Sequence, residues 1–181
     1  MRLVMPKTAG LLLTTLFLGV CLTAHDAQCQ LSRRDSDALA GANLIYIATV
    51  RKNGNQSTAA PVWFTTTHDG RVLIQTAPTS WKVRRIRRGS PVIVWIGARD
   101  GPAFIGKAEI TNDPAVINRI EQDYPKKYWM AWVGLHRPTA ERFARGEIVA
   151  IEITPLRDFP NEFASAPGSP APKLSEMVHD R

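Results

Sequence analysis

The sequence contains two cysteines, Cys21 and Cys29, and both lie in or beside an apolar N-terminal stretch. The remainder of the chain therefore has neither an internal disulfide nor a thiol nucleophile. Its four histidines, His25, His68, His136 and His179, are scattered near turns and tails without the short spacing of a metal centre, so no metal is expected. A glycine-rich dinucleotide or triphosphate fingerprint is missing, and spacing reveals no Ser-His-Asp arrangement. The uncharged apolar run from Gly10 to Ala24 falls short of the roughly 20 residues of a comfortable membrane span. No internal repeat is visible.

What is present begins with that run. Arg2 and Lys7 precede it, and a basic flank before a short apolar stretch fits a secretory signal. Leu22-Thr23-Ala24 is an imperfect cleavage site, and Leu18-Gly19-Val20 before Cys21 is a poor lipidation box. Residues 1–24 read as a signal peptide or N-terminal anchor, followed by a linker over 25–35 and a folded domain over 36–158. The expected location is exported (periplasmic or secreted), or membrane-anchored by the N-terminal segment. A start codon placed too early would instead make the protein cytoplasmic. From Pro160 onward Pro, Ala, Ser and Gly dominate, so 159–181 reads as a disordered tail. The formal net charge of +7 favours anionic partners without naming one.

Within the domain, Ser36 to Ala42 reads as the end of a short helix. "NLIYIATVR" (43–51) and "STAAPVWFTTT" (57–67) read as strands around an Asn-Gly turn, with Pro61 marking an edge or a bulge. "RVLIQTA" (71–77), "SPVIVWIGA" (90–98), "PAFIGKAEIT" (102–111) and "EIVAIEITPL" (147–156) supply four more strands. Between the third and fourth, Ser80 is placed to cap a helix over Trp81 to Arg88 that ends at Gly89, with Val83 and Ile86 inward. A helix opens at Asp113-Pro114 and runs through Ile120, Pro125 breaks the pattern, and a further helical piece covers 138–146. Six strands joined mostly by tight turns predict a mainly β (α+β) domain: a six-stranded antiparallel split β-barrel with short peripheral helices.

The ordered set "APVWF", "TAPTSWK" and "IGKAEI" resembles the FMN-binding split-barrel superfamily, which includes pyridoxamine 5′-phosphate oxidase and its flavin- and deazaflavin-dependent relatives. The resemblance spans roughly residues 36–156. It implies a homodimer of split barrels with flavin sites at the dimer interface, and an oxidoreductase activity on a small-molecule substrate with FMN, or alternatively F420, as cofactor. Carried over position by position, it puts Val62, Trp63 and Thr65 beside the ring system, Gln75 and Thr76 at a strand end reaching the cofactor, and Ser80 and Lys82 at the phosphate turn. Two arginines of the oxidase pattern are replaced, one by Trp81 directly before Lys82 and one by Ala60, and its substrate-phosphate arginine and histidine set has no match. These departures point away from pyridoxamine phosphate oxidation and make F420 more credible.

Physical chemistry supports the phosphate turn separately. A helix start offers unpaired N–H groups, Ser80 a hydroxyl and Lys82 a full charge. Trp63 offers a flat apolar wall. Trp63 and Phe64 are adjacent on a strand and point to opposite faces, so one of them is plain core. Arg84, Arg85 and Arg88 could add charge at the phosphate or reach a second phosphate of a longer cofactor, and for Arg87 and Arg88 a solvated face is an equal alternative. "KKYWMAWVGLH" reads either as a lid over the ring or as packing at a dimer interface. A non-catalytic flavin- or haem-binding module is the alternative function, with His136 the candidate axial ligand. Nucleic-acid binding by "KVRRIRR" rests on charge alone, and no nucleic-acid partner is expected.

Overall fold

A computed structural model describes residues 31–158. The leader expected over 1–24, most of the linker and the tail over 159–181 lie outside the described residues. The strand-forming runs become β1 (Ile45–Thr49), β2 (Ala60–Val62), β3 (Thr65–Thr66), β4 (Val72–Thr76), β5 (Val92–Ile96), β6 (Ala103–Thr111) and β7 (Val149–Asp158). Between them lie α1 (Arg33–Gly41), α2 (Trp81–Ile86), α3 (Pro114–Lys127), α4 (Trp129–Trp132) and α5 (Ala140–Ala144).

All seven strands form one sheet in the order β2-β1-β5-β6-β7-β4-β3, and every pairing is antiparallel. Its two edge strands, β2 and β3, are consecutive in the chain and separated only by Trp63 and Phe64. Such a short link between the two edges obliges the sheet to curl upon itself, giving a split antiparallel barrel. The stretch read as one strand over 57–67 is thus two, and seven strands replace the six expected. Pro61 lies in the edge strand β2, where its missing N–H costs no ladder bond on the open side.

Side-chain alternation divides the core. Val92, Val94 and Ile96 of β5 enter the barrel interior with Ile45, Ile47, Val72, Ile74, Phe104, Ile151 and Ile153. Ile93 and Trp95 of the same strand face outward into a second cluster with Ala48, Ala103 and Ile105. Leu73 and Ala150, on the outer face of β4 and β7, are covered by Val116, Ile120 and Tyr124 of α3. Near-continuous apolar character in β5 is the consequence of burial on both faces. β6 bends at Gly106, where the register with β7 shifts, and an added Cβ would meet Ile153 Cγ2 at 2.5 Å.

Two turns follow their local chemistry. Gly54 of the Asn-Gly turn has φ 82°, and the hairpin is closed by the Arg51 N–H donating to the Asn55 carbonyl at 2.8 Å. Gly89, at φ 80°, ends the turn after α2. Pro125 does not break its helix, which runs on to Lys127. The proline forfeits one backbone hydrogen bond, but the turn that contains it carries Tyr124 and leads into Tyr128, both buried. Tertiary burial of those two rings outweighs the local penalty.

Candidate functional site

The split between β2 and β3 puts the backbone of Trp63 and Phe64 outside the sheet ladder, and Tyr124 of α3 and Tyr128 just after it bond to three of those groups. The Phe64 N–H donates to the Tyr128 hydroxyl at 2.9 Å, which in turn donates to the Phe64 carbonyl at 3.0 Å. Tyr124 donates to the Trp63 carbonyl at 2.8 Å. Burial raises both phenols, Tyr124 well above its usual value and Tyr128 to about 12, so both hydroxyls keep their protons for these bonds. Beside them Thr65 donates to Asp123 Oδ2 at 2.8 Å. The Trp63 indole stacks on Tyr128, with centroids 4.6 Å apart and planes within 7°. Phe64 points into the core and is 1% exposed, whereas Trp63 is half-buried.

Held this way, Trp63 presents its ring system to a cleft. A cavity of about 460 Å³ is lined by Leu44, Pro61, Val62, Trp63, Gln75, Thr76, Lys82 and His136. Gln75 and Thr76 end β4, and Lys82 stands in the first turn of α2. That helix is capped as its sequence dictates, the Val83 N–H donating to Ser80 Oγ at 3.4 Å, while Val83 and Ile86 anchor it to the barrel core. Burial lowers the pKa of Lys82. No carboxylate among the described residues forms an ion pair with it. A desolvated ammonium without a counter-ion, facing a cleft with an aromatic and aliphatic wall, is suited to an anionic ligand with a flat apolar body.

Five of the seven residues expected at the site, Val62, Trp63, Gln75, Thr76 and Lys82, line this one cleft. Ser80 caps α2 at its edge, and Thr65 turns its hydroxyl to Asp123 instead. Pro61 is a neighbour in the same quoted motif. Leu44 escaped sequence reasoning because it carries no chemical signal, and His136 enters from a segment far along the chain. His136 has a φ of 56°, uncommon for a residue other than glycine. In the aromatic stretch, Tyr128 is part of the split's support, whereas Trp129 and Trp132 are 70% and 71% exposed. The two arginines that the oxidase pattern would supply have no substitutes in the cavity lining, where Lys82 is the only lysine or arginine. Among the described residues no group of three or more His, Cys, Asp or Glu is placed to hold a metal, and no helix is long and apolar enough to cross a membrane.

Comparison with known proteins agrees with this geometry. A conserved hypothetical protein from Mycobacterium tuberculosis aligns with 82% of this chain and 97% of its own, at 20% identity and a TM-score of 0.53. A Listeria innocua protein provisionally assigned as a pyridoxamine 5′-phosphate oxidase aligns with 70% of this chain and 94% of its own, at 18% identity and a TM-score of 0.51. These likenesses establish the fold. No curated protein matches the sequence significantly. The family profile described as pyridoxamine 5′-phosphate oxidase matches residues 33–158, which takes in every strand and helix described above. The chain belongs to the pyridoxamine 5′-phosphate oxidase family.

Proposed function

We propose that the protein is an oxidoreductase that binds FMN, or alternatively the deazaflavin F420, in the cleft between β2, the end of β4 and α2. The observation that carries this reading is Lys82, half-buried, unpaired among the described residues and directed to the same cavity as Trp63. The donor set fits such a cofactor. Lys82 would hold the phosphate end, with the capped start of α2 beside it. Val62 and Trp63 would wall the ring system, and Gln75 and Thr76 would offer polar groups to its edge. When bound, the cofactor supplies hydride transfer, and the residues of the chain need only bind, orient and exclude water.

Ala60 and Trp81, where the oxidase pattern has arginines, remove two phosphate partners and argue against pyridoxamine 5′-phosphate as the substrate. A homodimer is part of the same reading. Trp129, Trp132, Val133 and Leu135 form an exposed apolar stretch leading to His136 at the cleft, and a second copy packed there would cover it.

The test is a visible absorption spectrum of the purified full chain, as isolated and then titrated with FMN and with F420. Saturable binding of one cofactor that weakens by roughly ten- to a hundredfold in Lys82→Ala is the expected result, and the preferred cofactor identifies itself. A haem Soret band that disappears in His136→Asn would favour the haem module instead. A colourless protein that binds neither flavin would overturn the proposal. Sedimentation equilibrium of the wild type and Trp132→Ser tests the dimer, which the variant should weaken.

A further inference from the structure

α2 carries more positive charge than its cleft uses, and the surplus is arranged. Val83 and Ile86 are buried, which fixes the helix orientation. Lys82 then lies on one flank, in the cavity described above. Arg87 lies on the other flank, in a second cleft with Lys107 and Glu109. Between these flanks Trp81, Arg84 and Arg85 share the face opposite the core, and Arg88 follows in the turn that continues the helix, its N–H donating to the Arg85 carbonyl at 3.0 Å. Trp81, Arg84 and Arg88 are exposed and line neither cleft.

Two features distinguish this face from a generic solvated one. The first is charge without compensation: the ion pairs of the described residues include none of Arg51, Arg84, Arg85 or Arg88. Arg85 donates instead to the Thr49 hydroxyl at 3.1 Å, and its pKa is lowered by burial and by the neighbouring Arg51 and Arg88. The second is an indole among the guanidiniums. Trp81 is 64% exposed, with Arg84 5.0 Å and Arg85 5.7 Å from its ring centroid.

We propose that the face formed by Trp81 and Arg84 of α2 and Arg88 of the turn after it, with Arg51 beside it, docks the protein on an anionic lipid surface. Charge complementarity is the ground for this occupant. Arginines near a bilayer attract anionic headgroups, and an exposed tryptophan prefers the interfacial region where its ring is half wet. A convex helix face outside both clefts suits an extended surface better than an enclosed small anion. A single indole offers one stacking platform, whereas single-stranded nucleic acid is usually held on several.

The experiment is vesicle co-sedimentation of the full chain, comparing phosphatidylcholine vesicles with vesicles containing phosphatidylglycerol, at low and high salt. The apolar N-terminal run and its basic flank, Arg2 and Lys7, are common to all variants, so their contribution is the same in each. The readout is therefore the ratio of binding to anionic and to neutral vesicles. Each arginine near the surface is worth roughly fivefold in affinity, so Arg84→Ser/Arg88→Ser should lower that ratio by about thirtyfold. Trp81→Ala should lower the binding that survives high salt. Equal binding to the two vesicle types, or an anionic preference unchanged in the double variant, would overturn the proposal. So would tighter binding of a single-stranded oligonucleotide, or complete displacement from vesicles by free triphosphate, which would reassign the face to nucleic acid or to a soluble polyanion. Circular dichroism of each variant confirms that a lost preference is not lost folding.

Discussion

α2 and α3 approach the same four-residue stretch, Val62 to Thr65, with opposite electrostatic arrangements. On the α3 side the hydroxyls and the carboxylate that face the break are paired, and the Lys127 ammonium, in no ion pair among the described residues, rests over the Phe64 ring. Tyr124 and Tyr128 close the backbone of Trp63 and Phe64, and Asp123 accepts from Thr65 while pairing with Arg119 at 2.5 Å and Lys126 at 3.6 Å. On the α2 side Lys82 faces a cavity beside Val62 and Trp63 with no ion pair among the described residues. Satisfied groups around a strand break are there to hold the chain in place. A desolvated charge without a partner costs stability, and the proposed ligand would supply its counter-charge. The same short segment is thus supported from one side and borders the candidate cleft on the other.

The largest expected effect comes from undoing the support. Tyr128→Phe removes one hydroxyl that both accepts from and donates to Phe64, leaving two buried backbone groups unpaired. Urea denaturation should show a loss of about 3 kcal/mol, since each buried unsatisfied group costs about 1–3 kcal/mol. A change below about 0.5 kcal/mol would mean that water replaces the hydroxyl and that the split is open to solvent.

Lys82→Ala should do the opposite. Cofactor binding, measured by absorbance or fluorescence titration, should weaken by roughly ten- to a hundredfold, as expected for one charge-assisted contact. Stability without cofactor should stay level or rise, because a desolvated charge is removed. A variant that binds cofactor normally but melts earlier would show that Lys82 belongs to the structure and would erase the contrast between the two helices.

A smaller effect is expected from pH. Lys127, its ammonium 3.4 Å from the Phe64 ring centroid, has its pKa lowered to about 8 by burial, partly opposed by Asp123. In the unfolded chain the group keeps its ordinary, higher value. Between about pH 8 and the ordinary lysine value the unfolded chain therefore binds more protons, and stability should rise with pH across that window. Below it both states are charged and the slope vanishes. Denaturation midpoints from pH 7 to 10 should show this rise in the wild type and a smaller one in Lys127→Met, where only the lowered pKa of Lys82 contributes to it.

The smallest effect belongs to the outer surface. Arg145 pairs with Glu147 at 2.7 Å on the surface, the side chains 60% and 44% exposed, and Arg145→Ala should leave the thermal midpoint unchanged within error. A measurable drop there would show that even exposed pairs support this fold, and the distinction drawn between supporting and solvated charge would lose its force.

The candidate site was legible in proportion to how local its causes are. Ser80 caps α2 because its own hydroxyl reaches the Val83 N–H three residues on, and the ordered motifs located Val62, Trp63, Gln75, Thr76 and Lys82 before any fold was known. His136 could be singled out but not placed, since its approach to Lys82 depends on how α3, α4 and the following loop pack. The family resemblance, carried over position by position, puts Thr65 on the ring side. Its partner Asp123 lies 58 residues away and cannot be read from strand alternation.

The strand runs, the Asn-Gly hairpin and the cap at Ser80 follow from the sequence by itself, because each rests on bonds between near neighbours or on a period of two. Only the tertiary structure decided that 57–67 would break at Trp63-Phe64 and serve both edges of the sheet. It alone decided that α3 would run through Pro125, so that Tyr124 and Tyr128 close that break from more than sixty residues away. Hydroxyl and backbone group meet there only once the barrel has curled, and that closure is a property of the whole sheet.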